Sequence, residues 1–178
     1  MSEIDTFIET CSSGVHPDTV AAVVEIVTNR EPFVFTVLPA KGKRIQGSAR
    51  DRDTVIRKGS EHIEAGGMVS VGLMQVSSKY WKKHDVTIMD MMDPCTNIRV
   101  GTSLLKSAFV NAKLAQKDNG EAIAYAIEIY INGNLYENGR KKALATLGQE
   151  INLEDAIDSA WASDFGRKRV DDEPEQVN

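Results

Sequence analysis

Apolar side chains recur at helical spacing along most of the chain. The clearest series is Val20, Val23, Val24 and Val27, at positions i, i+3, i+4 and i+7, and it predicts an amphipathic helix over residues 18–28. Other stretches show a similar spacing or an apolar face wide enough for burial. They predict helices over residues 3–12, 53–65, 77–83, 87–92, 97–116, 120–131, 139–149 and 153–163.

Two short stretches predict strands instead. Residues 33–38 are rich in aromatic and β-branched side chains, and residues 68–71 are expected to be extended. The polar and basic stretch 40–52 contains two glycines, which predicts an exposed loop, with a binding surface as the alternative. The segment 132–134 (Asn-Gly-Asn) is predicted to end the helix before it. The chain is therefore expected to be mainly α, with at most a small β element.

Length and charge narrow the class of protein. The chain has 178 residues and a net charge of −5, which allows one domain with a core and argues against binding nucleic acid through its phosphates. No apolar run is long enough for a membrane span, so an integral membrane protein is not expected. The acidic start lacks signal-peptide features, so the protein is not exported or the given chain begins after a removed signal. We expect one domain over residues 1–166 and a charged, disordered tail over 167–178.

The cysteine and histidine residues give little evidence of a metal site or of thiol chemistry. Cys11 and Cys95 are the two cysteines, and alone they leave free thiols and a disulfide equally open. His16, His62 and His84 are scattered without the spacing of metal ligands. No phosphate loop, zinc motif or nucleophile elbow is present, so no metal and no cofactor are expected.

The segment Gly72 to Ser78, GLMQVSS, is the most distinctive motif. Glycine allows a close backbone approach, and the side chains of Gln75 and Ser77 offer neutral donors and acceptors that suit hydroxyls and amides. Tyr80 and Trp81 follow and could form a flat apolar wall. The segment is thus typical of a sugar-binding groove, the alternative being an ordinary loop before a helix.

Five pieces of sequence, in order along the chain, carry a family resemblance. The pieces are CSSGVHPDTVAAVV (11–24), Pro32, GLMQVSSKYW (72–81), DPCTNIRVGTSLL (93–105) and AIAYAIEIYINGN (122–134). Through them the chain resembles the small lytic transglycosylases of type IV secretion and conjugation systems, which have a lysozyme-like fold of the goose-type or SLT kind. The resemblance implies that it binds peptidoglycan glycan strands and other secretion-system proteins, lies in the periplasm and has a Cys11–Cys95 disulfide.

The resemblance also exposes a missing catalytic group. In this family one Glu protonates the leaving oxygen and then deprotonates a hydroxyl of the same sugar. It begins a Glu-Ser-x-x-Asn-Pro pattern, which falls here on Val27 to Pro32. Valine can neither give nor take a proton, so cleavage is expected to be impaired. Glu31 and Glu128 are candidate substitutes, the alternative for each being an ordinary solvated charge, whereas Glu25 should face away from Val27 on the helix.

The glycan-contact positions are better preserved than the catalytic one. Three functions therefore stay open: a peptidoglycan-interacting component with little or no cleavage activity, an active transglycosylase that uses a displaced carboxylate, and a protein–protein interaction module that reuses the fold. The residues that match contact positions are Gly72, Met74, Gln75, Ser77, Tyr130 and Asn132, with core packing as the alternative for Met74.

Overall fold

The computed structural model describes residues 1–115 and 118–136. Within them, helices and a small sheet alternate along the chain. The helices predicted over 139–149 and 153–163, and the tail over 167–178, lie outside the described residues. The helices are α1 (Glu3–Cys11), α2 (Pro17–Thr28), α3 (Arg52–Glu64), α4 (Ile88–Met91), α5 (Pro94–Leu114) and α6 (Asn119–Leu135). The strands are β1 (Val34–Leu38), β2 (Ile45–Ser48), β3 (Met68–Val71) and β4 (Val76–Ser77).

Helices α5 and α6 form the centre of the fold. They pack against each other, and the side chains of Phe109, Leu105, Ile123 and Ile129 are almost completely buried. Helix α1 packs on α5, and a disulfide joins Cys11 to Cys95 across 84 positions of sequence, as the resemblance implied. The mainly α prediction is confirmed. Among the described residues, none of the helices is both long and apolar enough to cross a membrane.

The four strands form one antiparallel sheet in the order β2-β1-β3-β4. Helix α3 packs against it, and the side chain of Lys58 lies over the Phe35 ring on that face. On the other face, a row of polar side chains crosses all four strands. The register places Gln46, Thr36, Ser70 and Ser77 side by side in that row.

The prediction of a loop over residues 40–52 is wrong for residues 45–48, which form β2. This strand pairs with β1, but it lies at the edge of the sheet, so most of its side chains are exposed. Its polar composition therefore resembles that of a loop. Gly47 lies flat against the ring of Phe35, where an added Cβ would be 3.1 Å from a ring carbon.

Two helix boundaries also differ from the predictions. The helix expected over 77–83 is only a 3₁₀ turn at Ser78–Tyr80, because Ser77 pairs in β4. Helix α6 does not end at 132–134 but continues to Leu135. The Asn134 side chain donates to the Tyr130 carbonyl and accepts from the Ser77 amide, so tertiary packing outweighs the low helix propensity of that segment.

Candidate functional site

The GLMQ segment is a tight turn between β3 and β4. Gly72 has φ +78° and Gln75 has φ +50°, and the Gln75 amide donates to the Gly72 carbonyl at 2.9 Å. A Cβ at Gly72 would lie 2.1 Å from the Asn97 side-chain nitrogen. The close approach that requires glycine is therefore that of Asn97, from helix α5, and not that of a ligand.

Asn97 holds this turn in place. Its side chain is completely buried and accepts a hydrogen bond from the Met74 amide at 2.9 Å. It also donates to the carbonyl oxygens of Val71 and Met91, each at 2.9 Å. The buried amide thus links the turn to β3, α4 and α5, which explains the Asn in the DPCTNI motif by packing.

Gln75 is also part of the interior. Its side chain is 0% exposed, and it donates to the carbonyls of Val34 at 2.8 Å and Gly72 at 3.0 Å. Its oxygen accepts from the Thr36 hydroxyl at 2.9 Å. The Met74 side chain is equally buried and packs on Gly101, the alternative that the sequence left open. Both residues therefore fix the wall of the site from behind.

The other predicted contact residues surround the same turn. Tyr130 is buried and its hydroxyl donates to the Met74 carbonyl at 2.7 Å, and burial raises its pKa well above the usual value. Ser77 is 1% exposed, whereas Asn132 is half-buried and donates to the Glu128 carbonyl on its own helix. A direct glycan contact by any of them stays a prediction.

An open cleft lies beside this buried network, at the C-terminal end of α2. Its volume is about 360 Å³, in the range of small-molecule sites. The end of α2 and the residues after it form one wall, and β1 and β2 form the other. The lining residues are Ile26, Val27, Thr28, Asn29, Glu31, Val34, Gln46, Gly47 and Ser48.

The position assigned to the catalytic Glu lies in this cleft. The Val27 side chain contributes to the wall but is only 4% exposed, because it also completes the apolar stripe of α2. The hydroxyl of the next residue, Thr28, lies 2.9 Å from the Val24 carbonyl oxygen and 3.2 Å from that of Leu73. The end of α2 is thereby fastened to the GLMQ turn, so the two motifs meet at the cleft.

Among the described residues that line the cleft, Glu31 provides the carboxylate. Its side chain is exposed and accepts a hydrogen bond from the Ser48 hydroxyl at 3.3 Å. Asn29 and Arg30 both have positive φ, +51° and +65°, and this left-handed pair turns the chain so that Glu31 faces β2. Asparagine tolerates that conformation, whereas arginine rarely adopts it.

An ion pair holds the turn against α1. Arg30 pairs with Asp5, and the Asp5 carboxyl also accepts hydrogen bonds from the Ser2 hydroxyl and amide. The Ser2 hydrogen bonds, followed by the guanidinium, lower the pKa of Asp5 to about 2. The position of Glu31 therefore depends on a contact far away in sequence.

Glu128, the second candidate substitute, does not line this cleft. It lies half-buried on α6, and its Oε2 atom is buried without a hydrogen-bond partner among the described residues. Burial raises the pKa of this carboxyl. The structure thus brings together Val27 and Glu31, but not Glu128.

Sequence reasoning missed the β2 side of the cleft. Gln46 and Ser48 were placed in a loop, although the alternative interpretation of that loop was a binding surface. The available signal was the alternation of longer polar residues with Ile45 and Gly47, which is typical of a strand with one polar face. Gln46 also donates to Thr36 at 3.4 Å, so the cleft is connected to the buried Gln75.

Comparisons with known proteins agree with the motifs. The family model described as transglycosylase SLT domain matches residues 44–135, a little over half of the chain. Protein virB1 of Agrobacterium fabrum (strain C58 / ATCC 33970) is 25% identical over 154 residues, which are 84% of this chain and 61% of that protein. Type IV secretion system protein virB1 of Brucella abortus biovar 1 (strain 9-941) is 27% identical over 126 residues, 70% of this chain and 51% of that protein.

The similarity has two limits. The chain spans about half to three fifths of the length of these curated relatives. No solved structure is significantly similar to it. The family match begins after α2, so it covers the GLMQ turn and the β2 side of the cleft but not the position of Val27.

Proposed function

Because the chain belongs to the transglycosylase SLT domain family, we propose that it binds peptidoglycan glycan strands as a component of a type IV secretion or conjugation system, with impaired cleavage. The observation that carries the proposal is the apolar Val27 in the wall of the cleft. That position is where the family pattern requires the proton donor.

The chemistry explains why a valine should matter. A glycosidic oxygen leaves only when a proton reaches it, and a positioned acid contributes roughly 10²–10⁴-fold to such a step. Burial of a carboxyl keeps it protonated near neutral pH, which is how one group serves as acid and then as base. Val27 offers the burial but no proton. Elsewhere in the cleft, the exposed side chains of Glu31, Gln46 and Ser48 offer hydrogen-bonding groups that suit sugar hydroxyls.

An active enzyme is the second candidate function, supported by the place of Glu31. Its carboxylate lines the same cleft and is oriented by Ser48. However, Glu31 is exposed at the rim of the cleft, where water competes for its hydrogen bonds. A catalytic acid needs a buried carboxyl, and Glu31 would become buried only when a bound sugar covers it. Glu128 has the burial that an acid needs but lies outside the cleft lining.

The location and partners follow from the family and the disulfide. The relative from Brucella abortus is named as a type IV secretion system protein, and we extend that assignment to this chain. A disulfide between Cys11 and Cys95 persists in an oxidising compartment. The periplasm is such an oxidising compartment and also contains peptidoglycan, so we propose it as the location.

The test is incubation with purified peptidoglycan sacculi, followed by co-sedimentation and analysis of released products. We expect the protein to sediment with the sacculi and to release no anhydromuramyl products above the buffer control. Failure to sediment would instead favour the interaction module. Product release at the rate of an intact homologue would overturn the impaired assignment.

Two variants separate the second candidate from the first. If Glu31 is a displaced catalytic acid, Glu31→Gln abolishes product release while sedimentation is retained. Glu128→Gln is the matched change at a carboxyl outside the cleft lining. Loss of release in Glu128→Gln alone would transfer the catalytic role to α6.

A further inference from the structure

An arginine stacks on an aromatic ring at one end of β2. The guanidinium carbon of Arg44 lies 4.4 Å from the centre of the Tyr136 ring. Both side chains are exposed, and Tyr136 is 43% exposed. Stacking covers one face of the guanidinium and leaves its N–H edges open, while the ring limits the orientations that the side chain adopts.

This pair lies next to the β2 side of the cleft. Arg44 directly precedes β2, whose residues Gln46 and Ser48 line the cleft. Tyr136 directly follows α6, whose Asn134 carbonyl accepts a hydrogen bond from Ser70, in the same polar row of the sheet as Gln46. The distance along the strand from Ser48 to Arg44 is about 13 Å, longer than one sugar ring. A polymer in the cleft that follows β2 therefore reaches the pair.

The charge of Arg44 is not neutralised by the part of the chain that the structure describes. Within residues 1–115 and 118–136, its one recorded interaction is with Tyr136. Arg30 and Arg57, by contrast, pair with Asp5 and Glu61. Lys41 and Lys43 precede Arg44 and are also exposed. In a chain of net charge −5, this end of the cleft is locally positive.

We propose that Arg44, oriented by Tyr136, forms a subsite for a carboxylate carried by the glycan strand in the cleft. The inference rests on the proposed function and specifies its substrate class: an acidic glycan, as distinct from a neutral one. A planar guanidinium binds a carboxylate through two parallel hydrogen bonds, and the adjacent ring supplies an apolar surface for the sugar or for the peptide that bears the acid. It also gives a role to the basic segment 40–52.

A peptidoglycan strand carries carboxylates from two sources. One is the stem peptide, and the other is the lactyl group of the muramic acid, which is free only where the peptide has been removed. Both present the same group to Arg44. The test therefore compares soluble strands with stem peptides, strands stripped of peptides, and neutral N-acetylglucosamine oligomers.

The measurement is the dissociation constant of the intact chain for each ligand by calorimetry at low salt. We expect Arg44→Gln to weaken binding of the carboxylate-bearing strands roughly tenfold and to leave the neutral oligomers unchanged. Arg44→Lys should recover only part of the affinity, because an ammonium lacks the bidentate geometry. Arg57→Gln is the matched control: it removes one positive charge from α3, on the opposite side of the sheet.

The outcomes divide clearly. A loss confined to peptide-bearing strands assigns the carboxylate to the stem peptide, and an equal loss with stripped strands assigns it to the lactyl group. If wild type and Arg44→Gln have the same dissociation constant for each of the three ligands, the subsite is overturned and the proposed function stands. A wild-type chain that binds none of the three overturns both.

Discussion

The buried network around the GLMQ turn and the open cleft at the end of α2 lie side by side, joined by the Thr28 hydroxyl. In the first region, Gln75 and Asn97 are 0% exposed and their recorded hydrogen bonds are internal. In the second, Glu31, Gln46 and Ser48 are exposed and face open space. The motif residues thus form the buried wall, and the exposed residues line the cleft.

This difference has a consequence for function. The network holds the GLMQ turn in place and, through Thr28, fastens the end of α2 beside the cleft. Under the proposed function, the chemistry of the cleft depends instead on lining side chains such as Glu31, which is exposed. Val27 is intermediate, because it lines the cleft and also packs in the core. The proposed impairment therefore requires a change in the cleft wall and none in the buried network.

Gly72→Ala is the change expected to damage the network most. The new Cβ meets Asn97, so three hydrogen bonds of that side chain must shift, and alanine is strained at φ +78°. We expect a loss of at least about 3 kcal/mol in the free energy of unfolding, measured with urea. Gly66→Ala is the control, with φ +85° but ordinary contact at 3.7 Å. Similar losses in both would show that the Asn97 contact is unimportant.

A matched pair of glutamines sharpens the comparison. Gln75→Leu leaves Thr36 and the Val34 carbonyl without their buried partner, and we expect a loss of roughly 2–4 kcal/mol in stability. Gln46→Leu, in the cleft, should change stability by less than about 0.5 kcal/mol but weaken glycan binding. Urea unfolding and co-sedimentation with sacculi measure the two effects. A stable Gln75→Leu protein that fails to bind would place Gln75 among the contacts.

Tyr130→Phe should have a smaller effect. It removes one buried hydrogen bond, to the Met74 carbonyl, and we expect a loss of about 1 kcal/mol in stability. If Tyr130 acts only in the network, the affinity for glycan strands is unchanged at a temperature where both proteins are folded. Lost affinity without lost stability would identify the hydroxyl as a direct glycan contact.

The smallest predicted effect concerns pH and the turn that positions Glu31. Because the folded-state pKa of Asp5 is lowered from 3.8 to about 2, its contribution to stability is present above pH 4 and is lost as pH falls toward 2. Asp5→Asn should therefore lower the urea midpoint slightly at pH 6 and by much less at pH 2. A midpoint difference that is the same at both values would show that the ionised Asp5 carboxyl, with its Ser2 and Arg30 contacts, does not stabilise the fold.

Sequence patterns predicted most of the helical frame, because apolar stripes such as that of α2 act locally. They placed the start of α5 three residues too late, at Asn97, because the capping residue Asp93 and the first-turn Pro94 were overlooked. The family motifs also predicted the disulfide, whereas the assignment of Val27 to the catalytic position stays a prediction. What they could not show was burial: Gln75 offers the same amide whether it faces a sugar or Thr36.

The edge strand β2 escaped prediction for a related reason. An edge strand with exposed polar side chains has the composition of a loop, and only its pairing with β1 reveals it. The left-handed pair at 29–30 is likewise stabilised by a contact with α1 that no local pattern records. Both features shape the cleft, so the cleft lining was poorly predicted from the sequence.

The proposed impairment rests chiefly on Val27, because Thr28 and Glu31, which also depart from the family pattern, do not stand at the position of the proton donor. The direct measurement is the rate of anhydromuramyl product release from sacculi by wild type, Val27→Glu and Val27→Gln. A gain of about 10²-fold or more is predicted for Val27→Glu, with Val27→Gln, which buries a polar group but no acid, remaining at the wild-type level. Equal rates in the three proteins, at any level, would contradict the claim.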